Sequence, residues 1–182
     1  MSGHDHTRTL ELSLVGIAAG QSDAFEVLYQ ETHAGVYAFA LSILKNAHDA
    51  QDILHDTFLK IYDTAPTYTP MGKPMAWILT ITRNLCYSHL REQQKTTEIA
   101  PEEWDLHIEP REDLNREERI VLSEGLKTLN DEERQIVLLH AVSDLKHRQI
   151  AELLQLPLST VLSKYRRAIK KLEQLLGKET DQ

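Results

Sequence analysis

The chain has 182 residues, of which 41% are hydrophobic and 26% charged, a balance typical of a globular protein with one domain or two small ones. Its formal net charge of −8 argues against a protein covered in basic residues for non-specific binding to DNA or membranes. A single cysteine, Cys86, excludes an intramolecular disulfide and a cysteine-rich zinc site. Seven glycines and six prolines are few, which favours long helices over a many-stranded fold.

The N-terminal segment has no signal-peptide form, and no apolar run reaches the ~20 residues that a membrane-spanning helix requires. We therefore expect a cytoplasmic protein with no membrane insertion of this chain. The two N-terminal histidines, His4 and His6, are expected to lie in a disordered tail.

Apolar periodicity and helix-start residues predict three helices in the first half of the chain. The first begins at Ser22 and ends near Asn46, and the second runs from His48 to about Tyr62. A segment rich in proline and threonine, 63–74, is predicted as a loop, and a third helix follows over 75–91.

The stretch 96–112 contains two prolines, no apolar periodicity and a net charge of −5, and is predicted as an acidic linker. It divides a domain over 10–95 from a domain over 113–178. The second domain is predicted to contain four helices, at 113–128, 131–142, 146–154 and 158–176. Asn130 and Glu133 have the spacing of a capping box. No segment alternates like a strand, so the predicted fold class is all-α with two small helical domains.

The last two predicted helices, separated by the turn at 155–157, have the layout of a helix-turn-helix, whose second helix enters the major groove of DNA. The segment 146–178 carries a local charge of +6. One side of the last helix is apolar, and the other holds hydroxyl and basic side chains that can contact phosphates or base edges. These residues are Ser159, Thr160, Ser163, Lys164, Arg166, Arg167, Lys170 and Lys171.

Two other predicted helices each have a distinctive outer face. On helix 75–91 a polar strip combines arginine, an amide and an aromatic ring, which suits phosphate contact and stacking on unpaired bases. The strip comprises Thr80, Arg83, Asn84, Tyr87 and Arg91. On helix 48–62 an exposed Leu59 lies among acidic residues, which suggests a binding patch for a partly basic, partly apolar protein surface.

In combination, DAQDILHDTFLKIY (49–62), WILTITRNLCYSHLRE (77–92) and LNDEERQIVLLHAVSDLKHRQIAELLQLPLSTVLSKYRRAIKKLEQLL (129–176) resemble the sigma-70 family of transcription factors. The resemblance is to the extracytoplasmic-function (ECF) group, which keeps only the region 2 and region 4 domains. It runs from about Asp23 to Leu176. It implies an initiation factor that binds core RNA polymerase and promoter DNA, with an anti-sigma factor as its expected regulator.

The resemblance also implies roles for single residues. Contact with core polymerase falls on Asp49, Asp52, His55, Asp56, Leu59 and Tyr62. Contact with the single-stranded −10 element falls on Tyr68, Lys73, Thr80, Arg83, Asn84, Tyr87 and Arg91, with loop 63–74 capturing a flipped base. The helix-turn-helix reads the −35 duplex. The family usually has a strongly basic tract after the −10 helix, where this chain has Glu92-Gln93-Gln94-Lys95.

Two alternatives stay open on the sequence. One is a stand-alone helix-turn-helix regulator that binds duplex DNA as a dimer, which gives no role to Leu59. The other is a metal-dependent enzyme, suggested only by nine histidines that form no ligand motif. Because no catalytic grouping or phosphate-binding loop is found either, we expect no enzymatic activity, no cofactor and no metal.

Overall fold

The structure, a computed structural model, describes residues 3–96 and 124–179. The N-terminal unit has four α-helices, with a 3₁₀ turn at Ala65–Thr67 between the third and the fourth. The helices are α1 (Gly3–Ala18), α2 (Ser22–Leu44), α3 (Ala47–Thr64) and α4 (Pro74–Thr96). The C-terminal unit has α5 (Asp131–Ala141), α6 (His147–Leu154) and α7 (Leu158–Glu179). No strand occurs in these two stretches, and the all-α prediction is confirmed.

Helix α1 corrects the expectation of a disordered N-terminal tail, because His4 and His6 lie in its first turns. One side of α1 packs into the core, where Leu10, Leu14 and Ile17 are buried. His6 Nδ1 lies 3.1 Å from Glu31 Oε2 on α2. The N-terminal segment is therefore part of the folded unit. The i, i+4, i+7 spacing of these three residues is the helical signal in this segment.

The boundary between α2 and α3 lies earlier than predicted, because α2 ends at Leu44 and not near Asn46, and α3 begins at Ala47 and not at His48. Lys45 adopts a left-handed conformation (φ 58°) that ends α2, and its N–H bonds to the Leu41 carbonyl oxygen. Asn46 then caps α3 by accepting a hydrogen bond from the Asp49 N–H at 3.0 Å. Asn46 is thus the start of the second helix and not the end of the first, in keeping with the preference of asparagine for N-cap positions.

The C-terminal unit is built on the predicted capping box and on one buried arginine. The Asn130 side chain accepts from the Glu133 N–H at 2.9 Å, and Glu133 Oε2 accepts from the Asn130 N–H at 3.3 Å. Arg134 donates to the carbonyl oxygens of Leu126 and Leu129 at 2.9 and 2.6 Å. These bonds attach the helical turn at 124–127 to α5. The predicted helix at 113–128 otherwise lies outside the described residues, as does the predicted linker beyond Thr96.

The two units pack against each other, with α2 against α5 and α4 against α6. Lys45 Nζ, at the end of α2, lies 2.7 Å from Asp131 Oδ2, at the start of α5. Gly35 permits the close approach, because a Cβ there would lie 2.8 Å from Ser143 Oγ and 2.9 Å from Met75 Cε. The hydrogen bond from Lys45 lowers the pKa of Asp131 below its ordinary value, with a smaller contribution from Arg134.

Candidate partner and nucleic-acid interfaces

The outer face of α3 presents a mixed acidic and apolar patch. The inner face is buried as predicted, through Ala50, Ile53, Leu54, Thr57, Phe58 and Ile61. On the outer face Leu59 is 54% exposed and Tyr62 61% exposed. Asp52, His55 and Asp56 are exposed beside them. We call these five residues the α3 patch. Large exposed apolar side chains beside carboxylates suit a partner surface with apolar and basic groups.

The aromatic ring of Tyr62 packs against a side chain of α2. Phe25 makes edge-to-face contacts with Phe58 and Tyr62, with ring centroids 6.0 and 6.3 Å apart. The ring centroids of Tyr29 and Phe58 lie 4.8 Å apart. These ring contacts hold the side chains beneath the α3 patch in place, since aromatic pairs of this geometry are attractive.

Asp49 is placed differently from the rest of the predicted polymerase-binding set. Its Oδ2 accepts a hydrogen bond from Gln93 Nε2 at 3.0 Å and lies 3.4 Å from His89 Nε2. The side chain is only 19% exposed. Asp49 thus joins α3 to the end of α4. Gln93 belongs to the tract that is usually basic in the family, and here it makes an intramolecular bond.

The predicted polar strip lies on the outer face of α4. Thr80, Asn84, Tyr87 and Arg91 are exposed and Arg83 is half-buried. The guanidinium carbon of Arg83 lies 5.0 Å from the centroid of the Tyr87 ring. Arg91 donates to the Tyr87 carbonyl oxygen at 3.2 Å. The strip therefore holds a cation and an aromatic ring in fixed register, an arrangement that suits phosphate contact and base stacking.

The loop before α4 brings Tyr68 and Lys73 beside this strip. The Tyr68 ring lies 5.1 Å from Trp77, at a 60° tilt. The Tyr68 hydroxyl donates to Glu11 Oε1 at 3.3 Å. Burial and the neighbouring Glu11 carboxylate raise the pKa of Tyr68 to about 12. Lys73 Nζ lies 3.1 Å from Glu152 Oε2 on α6, so this predicted DNA contact is paired with the C-terminal unit.

The helix-turn-helix has the predicted segments and a tight turn. Gln155 takes a left-handed conformation (φ 57°), and the Leu156 N–H bonds to the Ala151 carbonyl oxygen at 3.0 Å. Val161 and Ala168 face the core. The outer face of α7 exposes the residues Ser159, Ser163, Arg166, Arg167 and Lys170. These side chains lie on the exposed side of the second helix, which in helix-turn-helix proteins is the helix that enters the major groove.

Two lysines of the predicted DNA-binding set are engaged within the C-terminal unit. Lys164 pairs with Glu132 of α5 at 2.5 Å. Lys171 Nζ lies 2.6 Å from Glu133 Oε2, and the Glu133 side chain is only 2% exposed. Burial raises the pKa of Glu133, but hydrogen bonds from Lys171 and the Asn130 N–H outweigh burial and leave the pKa lowered. Thr160 is half-buried, like these two lysines.

Two histidines and a tyrosine form a ring cluster between α5, α6 and α7. The His140 and His147 centroids lie 4.6 Å apart, and each ring meets Tyr165 edge-on at 5.0 and 4.6 Å. His147 Nε2 is buried and has no hydrogen-bond partner. Burial, and secondly the neighbouring His140, lower the pKa of His147. The three rings therefore form a packing contact that joins α5, α6 and α7.

The described ranges also show the surroundings of Cys86, the placement of possible metal ligands and the character of the helices. Cys86 is buried, and burial raises its pKa to about 12. No group of three or more histidine, cysteine or carboxylate side chains in those ranges is placed to hold a metal ion. Likewise, none of the described helices is both long and apolar enough to cross a membrane.

Family comparisons agree with this arrangement of units. The family model for sigma-70 region 2 matches residues 28–96, and the model for sigma-70 region 4 matches residues 119–172. The chain belongs to the sigma-70 family, in its extracytoplasmic-function group. The N-terminal helix α1 lies outside both matched ranges.

Curated relatives carry the same group name. The chain is 26% identical over 178 residues to the ECF RNA polymerase sigma factor SigK of Mycobacterium sp. (strain KMS), covering 94% of this chain and 92% of that protein. It is 24% identical over 174 residues to SigK of Mycobacterium tuberculosis (strain ATCC 25177 / H37Ra), covering 92% and 93%.

Solved structures share the fold. The sigma factor RpoE, in complex with the anti-sigma factor NepR from Bartonella quintana, superposes with a TM-score of 0.67 at 23% identity. The match covers 84% of this chain and 96% of RpoE. CnrH, in complex with the cytosolic domain of CnrY, gives a TM-score of 0.62 at 21% identity, covering 93% and 97%.

Proposed function

We propose that this chain is a dissociable initiation subunit of bacterial RNA polymerase that works in the cytoplasm and has no active site of its own. One observation carries the proposal. A single chain combines the α3 patch and the α4 strip of region 2 with the exposed basic face of a region 4 helix-turn-helix. Catalysis belongs to core polymerase, and this chain supplies promoter choice.

The α3 patch is the proposed contact with core polymerase. Leu59 and Tyr62 offer apolar surface, and Asp52 and Asp56 offer charge that favours a basic partner. Interfaces often concentrate their binding energy in a few aromatic or apolar anchors, which charged neighbours surround. The exposed fraction of Leu59 supports its assignment as one such anchor. Asp49, bound to α4, would contribute by fixing the orientation of α3.

The α4 strip and the preceding loop are the proposed binding site for the unwound −10 strand. Bases that leave the duplex need aromatic surfaces for stacking and cations for the phosphates. Tyr87 and Arg83 supply these on α4, and the Tyr68–Trp77 pair supplies ring surface beside the loop. By binding only the unpaired strand, these groups would shift the equilibrium towards the melted promoter.

The outer face of α7 is the proposed reader of the −35 duplex. Its N-terminal hydroxyl groups would meet base edges, as in other recognition helices, and the exposed Arg166, Arg167 and Lys170 would contact phosphates. Lys164 and Lys171 are already paired with α5 and would chiefly set the orientation of the helix. An anti-sigma protein that covers these faces is the proposed regulator. The anti-sigma complexes of RpoE and CnrH support this suggestion.

Run-off transcription tests the proposal. Core polymerase would be assayed on genomic fragments with and without this chain, and initiation at defined start sites is expected only when the chain is present. Folded protein that gives no specific initiation would contradict the proposal. Promoter binding as a dimer without polymerase would favour the stand-alone regulator, which leaves the α3 patch without a role.

A further inference from the structure

A carboxylate from α1 holds the loop that precedes α4. Glu11 Oε1 accepts a hydrogen bond from the backbone N–H of Gly72 at 2.7 Å and a second from the Tyr68 hydroxyl at 3.3 Å. Glu11 lies outside the range matched by the region 2 family model. The two donors stand 57 and 61 residues further along the chain, so this contact is tertiary and not part of the local loop geometry.

The position of Glu11 is fixed by the burial of its neighbours. Leu10 and Leu14, on the same helix, are 1% and 0% exposed, so α1 cannot rotate without exposing apolar surface. At the other end of the contact, Gly72 has a left-handed backbone (φ 70°), which glycine adopts at no steric cost. The acceptor Glu11 therefore lies on a helix that packing holds in place. The donor Gly72 lies in a loop, where glycine can adopt several backbone conformations.

The hydrogen bonds to Glu11 fix the part of the loop that carries Tyr68 and Lys73. The Tyr68 hydroxyl is oriented by Glu11 while its ring packs on Trp77. Lys73 follows Gly72 directly. Tyr68 and Lys73 line an open cavity of about 260 Å³, together with Trp77 and Thr80 of α4. Releasing Gly72 and Tyr68 would free this wall of the cavity to move.

We propose that Glu11 is a positioning residue for capture of the −10 strand. It holds the loop over 68–73 in the shape that receives an unpaired base against the Tyr68–Trp77 pair. Hydrogen bonds to a charged acceptor are among the stronger ones in proteins, so one carboxylate suffices for two loop contacts. The inference rests on the proposed function, because it assigns a role within promoter melting.

The test compares Glu11→Ala, Glu11→Gln and Tyr68→Phe with a control, Glu26→Ala, in the reconstituted holoenzyme. Glu26 is an exposed glutamate on α2 whose carboxylate accepts a bond from Gln30 of the same helix at 3.3 Å. Permanganate reactivity would report melting of a duplex promoter, and run-off would be measured on duplex templates and on templates already unpaired at −10. Core binding by each variant is measured in parallel.

Glu11→Ala is expected to reduce melting of the duplex promoter by about tenfold, the scale of a lost hydrogen bond to a charged group. Glu11→Gln keeps an acceptor oxygen and is expected to recover most of the activity, while Tyr68→Phe loses one of the two bonds and gives a smaller defect. Glu26→Ala and all core-binding affinities are expected to match the unsubstituted protein. The defect of Glu11→Ala should shrink on the template that is already unpaired.

Several results would overturn the inference. These are normal melting by Glu11→Ala, no rescue by Glu11→Gln, or a parallel loss of core binding that would mark a general folding defect. If the unsubstituted chain initiates normally and Glu11→Ala does too, only the role of Glu11 falls. If the unsubstituted chain does not initiate at all, both proposals fall, because there is then no −10 strand to position.

Discussion

The two units of this protein present their candidate binding groups in different ways. In the C-terminal unit the groups lie along one amphipathic helix, α7, which a single helical period describes. In the N-terminal unit they are gathered from α3, α4 and a loop that α1 holds through Glu11. A surface on one helix can be identified from periodicity, whereas a surface assembled from several elements depends on tertiary contacts.

Even on α7, the structure divides cations that look alike in the sequence. Arg166, Arg167 and Lys170 are exposed, but Lys164 and Lys171 reach acidic residues at the start of α5. The C-terminal unit therefore uses part of its basic face to hold itself together. The following predictions test where the division between structural and binding groups falls in each unit.

The largest effect on stability is expected at Glu133, the buried carboxylate that pairs with Lys171 on the outer face of α7. Glu133→Ala removes half of the capping box and the partner of Lys171, and should destabilise the C-terminal unit by about 2 kcal/mol. Glu132→Ala, which removes only a partly exposed partner of Lys164, should cost less than about 0.5 kcal/mol. Hydrogen exchange of α5–α7 amides in the full chain measures both, and equal losses would contradict the division.

Because the folded-state pKa of Glu133 is lowered, its contribution has a defined pH dependence. Stability from this group is present above the ordinary glutamate pKa and is lost as the pH falls through the folded-state value.

The second effect concerns the α3 patch. Leu59→Ala is expected to weaken binding to core polymerase by about tenfold, because it truncates a proposed apolar anchor. Leu12 on α1 is 63% exposed and offers a matched control. Leu12→Ala should leave the affinity unchanged. Titration of labelled core polymerase with each variant measures the difference, and an equal loss in both would show that exposed leucines act only through general hydrophobicity.

The third effect separates the cations of α7. Lys170→Ala should weaken binding to a −35 duplex in the holoenzyme and lower the slope of log affinity against log salt by about one. Lys164→Ala should lower that slope less, because its ammonium is already paired with Glu132. Affinities measured over a range of salt concentrations test this, and identical slopes would place both lysines equally at the phosphates.

The smallest effect concerns His147. Its pKa is lowered in the folded unit, so the unfolded chain binds a proton first as the pH falls below the ordinary histidine value of about 6.5. Protection of α5–α7 amides should therefore decrease from about pH 7 to about pH 5, and His147→Phe should reduce that decrease. His48→Ala is the control, since the His48 side chain is 84% exposed. Protection that does not change over this range would contradict the prediction.

Most of the helices could be predicted from the sequence because their signals are local. The capping box at Asn130 and Glu133, the prolines around the loop, and the apolar face of α3 all follow from spacing along the chain. The helix predicted over 75–91 is shorter than α4, which continues to Thr96 because nothing in Glu92-Gln93-Gln94 stops a helix.

The contacts between elements could not be predicted in this way. Nothing in the sequence near Glu11 indicates that its partners are Tyr68 and Gly72, and nothing near Lys73 indicates Glu152. The family resemblance implies a polymerase-binding role for Asp49, but the bond of Asp49 to Gln93 depends on where α4 passes.

The place of α1 has a consequence for the order in which the chain assembles during synthesis. Leu10, Leu14 and Ile17 leave the ribosome before the helices on which α1 packs, and Glu11 meets its loop only after residue 72 has emerged. An early apolar helix must wait for partners that are many residues away. A shortened protein that begins at residue 28, where the region 2 match starts, would lack α1, which packs against α2, the 3₁₀ turn and α4.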